Sequence, residues 1–323
     1  MLHRREFIKK AALGSALLLP GLNSFASSFS YASLGKIGIQ LFSIPKLVET
    51  DFAGTMKMLA QIGYKEIEFY GPYSFSAEDD KTRWAAVAPS LGFSASGYYG
   101  MTPKETKKIL DDNGLSSPSM HTGLATLHDE KAMDQMAEAA HVMGTTYVVL
   151  PSAQTQPDLD GYKKQADDFN KIGEGATKRG IRFAYHNHGN GLKPVAGVVP
   201  FELIMEKTDP KHVYFQMDIY WVTAAGVDSA AYFDKFPGRF RSMHVKDMAK
   251  AVRFSGDGGD SKQWIELFPY LANAGTGVLD LPNILSHAKK SGVEHFVVER
   301  DLAPDPKADL QKSYDYLSKL NLK

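Results

Sequence analysis

From Lys36 onward, short apolar runs alternate with longer segments of helical periodicity. The runs at 37–42, 66–70, 118–122, 147–151, 181–186, 213–218, 240–245 and 295–299 are mostly β-branched or aromatic and nearly continuous in apolar character, as strands buried on both faces are. Between them, 51–62, 102–113, 129–143, 158–179 and 281–290 carry helical periodicity, and each gives way within a residue or two to a glycine: Gly63, Gly114, Gly144, Gly180 and Gly292. Helix, glycine, strand is the sequence of a left-handed cap that turns the chain back into a parallel strand.

Eight strand candidates alternating with helices predict one (β/α)8 TIM barrel over residues 33–323. A doubly wound dinucleotide fold loses support because no GxGxxG opens the first unit, and no P-loop is present. Two stretches break the rhythm. Residues 71–100 are rich in aromatics, and 249–277 contain Ser255-Gly256-Asp257-Gly258-Gly259-Asp260; both are expected to be loops over the barrel mouth.

Lys+Arg 37 balances Asp+Glu 37, which gives no reason to expect nucleic acid or an anionic membrane as partner, and the absence of cysteine excludes disulfides, thiolate nucleophiles and thiolate metal sites. The first 32 residues depart from this balance. Arg4-Arg5 precede a short apolar run, residues 11–19, then Pro20 and small residues that allow cleavage after Ala26 or Ala32. This resembles a cleavable twin-arginine export signal, which implies a periplasmic protein handed to the export machinery already folded. The run is too short to span a bilayer, where about 20 residues are needed, so no stable membrane anchor is expected.

Strand C-termini converge on the active site of such a barrel, so ionisable residues there are informative. The second run holds Glu68, the third ends at His121, the fifth at His186-Asn187-His188, the sixth at Asp218, the seventh at His244-Val245-Lys246 and the eighth at Glu299. Imidazoles and carboxylates from successive strands make a mixed N/O donor set suited to one divalent cation: Mn, Co, Zn, Fe or Mg. Any one of them alone has an ordinary explanation, Asp218 as a helix cap and Lys246 as a salt-bridge partner of Asp247 or Asp301. Four at four successive strand ends favour a metal site of His186, Asp218, His244 and Glu299.

The motifs GIQLFSI, GYKEIEFYG, DDNGLSSPSMH, YHNH, MDIYW, HVKD, GTGVLDLPNIL and VVERD span the chain from Lys36 onward. Together they resemble the sugar phosphate isomerase/epimerase-like family, the xylose isomerase-like TIM barrels. The resemblance implies one divalent metal at the barrel mouth, with ligand roles for Asp218, His244 and Glu299. The family's usual fourth ligand, a fifth-strand Glu followed by Asn, is replaced here by His186. That change removes one member of the acid/base pair of glutamates used by family epimerases.

A metal held this way can grip a carbonyl and neighbouring hydroxyl of a sugar and stabilise an enediolate. Candidates for the proton-handling groups are His188, Glu299, Glu68, His121 and Lys246, and Tyr70, Tyr220 and Trp221 are candidates to stack on the sugar. Epimerisation, isomerisation or β-elimination would all follow from the enediolate. Export and the lost glutamate tilt the expectation toward a 3-keto-glycoside lyase or hydratase. The alternative is a non-catalytic periplasmic sugar-binding protein on the same barrel.

Overall fold

The computed structural model describes residues 33–322; the expected export signal lies outside the described residues. Eight parallel strands close on themselves: β1 (Ile37–Gln40), β2 (Glu66–Phe69), β3 (Ser116–His121), β4 (Tyr147–Leu150), β5 (Arg182–His186), β6 (Val213–Asp218), β7 (Phe240–Val245) and β8 (His295–Val298). Each pairs with the next in the chain, and β8 returns to β1. The chain is therefore a TIM barrel.

The five expected helices form within a residue of their expected ends, as Phe52–Ile62, Pro103–Asp112, Glu130–Met143, Leu159–Lys178 and Leu281–Ser291. Their starts are fixed by side-chain caps from Asp51, Thr102, Asp129, Asp158 and Asp280, each accepting from a backbone N–H in the first turn. Gly144 and Gly292 sit at φ 73° and 99° and end their helices as the left-handed caps expected.

The apolar reading of the strands holds for the outer face and for only part of the inner one. Phe183 and Tyr185 pack on Phe169 of the helix outside, and Phe215 packs on Phe201. The alternate positions point into the barrel. Tyr147, Val149, Ala184 and Tyr214 form a small apolar cluster there. The remaining inward side chains include Gln40, Glu66, Glu68, Ser119, His121, His186, Gln216, Asp218 and His244, all buried. Register sets them side by side: Gln40 beside Glu68, Glu68 beside Ser119, His186 beside Gln216 and Asp218 beside His244.

The two long stretches correct the loop expectation. Residues 71–100 contain a 14-residue helix, Glu78–Leu91, and the aromatics around it pack among themselves. Residues 249–277 contain the helix Ser261–Leu267 and a strand, Leu271–Ala272, that pairs antiparallel with Asp247–Met248. Six further α-helices lie outside the expected segments: Pro45–Thr50, Leu124–His128, Pro200–Lys207, Ile219–Ala224, Ser229–Lys235 and Pro306–Leu317. No helix among the described residues is long and apolar enough to cross a membrane.

One side chain organises the long connection after β7. The Asp247 carboxylate accepts from the backbone N–H groups of Met248, Gly275, Gly277 and Leu279 at 2.8 to 3.2 Å. A Cβ on Gly277 would lie 2.3 Å from Asp247 Oδ1, so only glycine admits that approach. HVKD and GTGVLD are thus two halves of one device. Asp247→Ala strands these amides, and a loss of about 3 kcal/mol is expected in urea unfolding, with faster hydrogen exchange across 271–279. An unchanged midpoint would remove Asp247 from this role.

Candidate functional site

At the C-terminal end of β6, Asp218 divides its carboxylate between two tasks. Oδ1 accepts from the backbone N–H of Tyr220 at 2.9 Å and Trp221 at 3.2 Å, capping the helix Ile219–Ala224. Oδ2 faces the barrel axis, 3.8 Å from His186 Nε2 and 3.8 Å from His244 Nδ1. His244 stands between two carboxylates, its Nδ1 2.7 Å from Glu299 Oε2 and its Nε2 2.6 Å from Glu68 Oε1. Burial disfavours charge on this ring, but Glu299 and Glu68 outweigh it and raise its pKa to about 10.

Lys246 completes the upper layer. Its Nζ lies 2.6 Å from Asp301 Oδ2, 2.8 Å from Glu299 Oε2 and 3.0 Å from Asp218 Oδ2, and 5.1 Å from the Trp221 ring centre. Burial opposes the ammonium, and the three carboxylates hold its pKa well above the usual lysine value. Lys246 is therefore a fixed cation. Its partner is Asp301, alongside Asp218 and Glu299, whereas Asp247 is committed to the loop amides.

Four buried carboxylates (Glu68, Asp218, Glu299, Asp301) face two buried cations (Lys246, His244). The excess negative charge shows in the groups that hold protons most readily. Burial raises the pKa of Asp218, and that of Asp301 to about 6, in both cases against the pull of Lys246. Glu299 goes the other way, because Lys246 and His244 overcome its burial.

The imidazoles of β5 are neutral. Burial, then His244 and His188, push His186 well below the ordinary histidine value, and burial with Lys246 pushes His188 to about 3. Neutral imidazoles carry the lone pairs that metals bind. His186 Nε2 is buried without a hydrogen-bond partner, and Asp218 Oδ2 beside it has only the Lys246 ammonium at 3.0 Å. One donor atom each from Asp218, His244 and Glu299 lies within 4.8 Å of the others, as does one each from His121, His186 and His244. An orphaned imidazole nitrogen, a surplus of negative charge and mixed N/O chemistry fit a divalent cation.

The remaining candidates lie in different places. Glu68 is one layer deeper, and its two oxygens receive Gln40 Nε2, Gln216 Nε2, His244 Nε2, His121 Nε2 and Ser119 Oγ. Burial would raise its pKa, but His121 and His244 hold it well below the usual carboxylate range. A carboxylate so saturated orients its neighbours and has no lone pair free for a substrate proton. Tyr70 is packed under the 71–100 segment, donating to Ala95 O at 3.0 Å, and Tyr220 donates to Leu267 O at 2.6 Å. Trp221 is buried in the wall of the mouth, stacked on Phe254. Sequence reasoning gave no role to Gln216 or Trp264. Gln216 shares an inward face with Asp218 two residues on, a signal that was available. Trp264 stacks on His188 at 4.7 Å from within the long loop, which periodicity could not place.

Among the described residues, Tyr73, Thr122, His186, Asn187, His188 and Trp221 each have a buried side-chain polar atom without a partner, and all six lie at or just beyond the C-terminal ends of β2, β3, β5 and β6. Beside them a groove of about 890 Å³, lined by Asp80, Leu124, Pro151, Gln154 and Trp264, opens to the surface.

A closed parallel barrel with a buried imidazole–carboxylate cluster at its C-terminal mouth defines a class of enzyme-type barrels. Residues 56–320 match the model of the xylose isomerase-like TIM barrel, and the chain belongs to that family. It is 26 % identical over 251 residues to an inosose dehydratase of Geobacillus thermodenitrificans, covering 68 % of this chain and 80 % of that one. Among solved structures, a sugar phosphate isomerase/epimerase from Parabacteroides distasonis superposes with TM-score 0.69 at 23 % identity, covering 94 % of this chain and 100 % of that one. An IOLI protein with a bound zinc atom gives 0.62 at 15 %, covering 87 % and 95 %. The 3-keto-D-glucoside 4-epimerase of E. coli gives 0.59 at 17 %, covering 88 % and 99 %. Sugar-acting enzymes thus surround this chain in sequence and in fold.

Lys246→Met removes the cation shared by three buried carboxylates. Chelator-treated variant protein should lose about 3–5 kcal/mol in denaturant unfolding, and added zinc or manganese should restore part of it. A loss below about 1 kcal/mol would show that these carboxylates are not held as charges.

Proposed function

We propose that the protein is a divalent-cation-dependent enzyme that removes the proton α to the carbonyl of an oxidised sugar, acting as a lyase or hydratase on 3-keto-glycosides. The observation that carries this reading is the clustering of orphaned polar atoms and neutral imidazoles around a negatively charged donor set at the barrel mouth. A polyhydroxylated ligand satisfies such groups, and an apolar one does not. The dehydratase among the relatives and the keto-sugar epimerase among the solved structures support the same chemistry.

His186, Asp218, His244 and Glu299 would hold the cation, His244 only on giving up one of the protons that its two carboxylates stabilise in the cation-free protein. When bound it would supply Lewis-acid stabilisation of charge developing on a substrate oxygen. Lys246, permanently charged, stabilises negative charge beside it. His188 is the group we assign to the proton: its ring is neutral, its Nδ1 is buried and unpartnered, and Trp264 fixes its plane. His188 takes the proton from the carbon next to the carbonyl, and the electron pair passes into the carbonyl as an enediolate. Reformation of the carbonyl expels the glycosidic oxygen from the β-carbon, which leaves as the alcohol after taking up a proton. The export signal read from Arg4-Arg5 places this activity in the periplasm in our reading, and Arg4→Lys with Arg5→Lys should keep the protein in the cytoplasm.

The test is incubation with 3-keto-glycosides and simple ketoses in the presence of Mn, Co, Zn or Mg, with products read by NMR. Cation-dependent release of the aglycone is expected. His188→Asn should lower turnover about 100-fold or more with fold and cation content unchanged. Saturable sugar binding without turnover of any substrate would make the barrel a binding protein, and wild-type turnover in His188→Asn would remove His188 from the proton step.

A further inference from the structure

The sixth strand carries a side chain that touches two histidines facing the barrel axis. Gln216 Oε1 lies 2.8 Å from His186 Nδ1 and 2.8 Å from His121 Nε2, while its Nε2 lies 2.7 Å from Glu68 Oε2. We infer that Gln216 is a positioning residue that sets the tautomers of both imidazoles, leaving the lone pair of His186 on Nε2 and that of His121 on Nδ1.

A chain of obligate donors fixes the orientation of the Gln216 amide. Gln40 takes the N–H of Phe42 on its own oxygen at 3.3 Å and therefore presents its amide nitrogen to Glu68 at 2.8 Å. Ser119 Oγ–H and His244 Nε2–H also donate to Glu68. A carboxylate surrounded in this way accepts on both oxygens. Turning the Gln216 amide over would set its oxygen against Glu68 Oε2, acceptor against acceptor at the 2.7 Å now spanned by an N–H. The amide nitrogen must face Glu68, and the amide oxygen must face the histidines. An oxygen can only accept, so each imidazole must donate to it. His121 Nε2 is also 3.1 Å from Glu68 Oε1, a second acceptor on the same side.

The consequence bears on His186 as a ligand. A histidine offers a lone pair on only one nitrogen, and its partner decides which. His186 comes with Gln216 beside it in strand register, and the orphaned atom is the one the relay leaves without a proton, Nε2. Ligation through that atom rests on the proposed cation centre; the tautomers do not.

The test is long-range proton–nitrogen NMR on chelator-treated protein labelled with 15N-histidine, with resonances assigned by His121→Asn and His186→Asn. Protons are expected on His186 Nδ1 and His121 Nε2. A proton on the other nitrogen of either ring, or on both, overturns the inference. Gln216→Met should mix the tautomers and weaken zinc binding about 10- to 100-fold in competition with a chromophoric chelator; unchanged tautomers in that variant also overturn it. If Gln216→Met does not fold, the wild-type spectrum decides alone. Expected tautomers in a wild-type protein that takes up no cation would defeat the proposed function and leave the relay standing.

Discussion

The polar interior of this barrel depends on one buried carboxylate. Glu68 gathers donors from β1, β3, β6 and β7, so a single ionised group ties half of the strands together across the axis. An isolated carboxylate at that depth would be costly enough to take up a proton. Five donors, one of them the His244 imidazolium, keep it charged, and its charge in turn fixes how Gln40, Gln216 and His244 must lie. The upper layer inherits this order. His244 is held from below and presents Nδ1 upward to Glu299, and Gln216 passes the same constraint to His121 and His186. The reactive end of the barrel is aligned from beneath.

Much of the fold was legible because its local signals agree. Asp51, Asp129, Asp158 and Asp280 announce helix starts, Gly144 and Gly292 announce ends, and the intervening strands are apolar enough to count. What failed has two causes. The strands 66–70 and 213–218 were read as apolar on both faces, yet Glu68, Gln216 and Asp218 occupy the inner face. The inner face is polar here because its groups satisfy one another, and hydropathy does not register a network. The helix Glu78–Leu91 was missed because it is largely solvated and starts at Ala77 without a side-chain cap.

The site shows the same division. Period two along a strand places His186, Asp218 and His244 on the inward face, so convergence followed from the barrel alone. Roles within the cluster depend on distances between strands far apart in sequence. Glu68 as a base and Tyr70 or Tyr220 as sugar platforms were reasonable from position along the chain. The five donors on Glu68 and the satisfied hydroxyls of the two tyrosines set them apart, and those contacts come from residues up to 176 positions away.

The divided carboxylate of Asp218 makes the mouth a mechanical as well as a chemical unit. Both oxygens belong to one rigid plane, so any pull on the inward oxygen tilts the outward one against the amides of Tyr220 and Trp221. An ion or ligand drawn to Oδ2 would therefore also load the first turn of Ile219–Ala224, and through Trp221 the ring of Phe254 stacked on it.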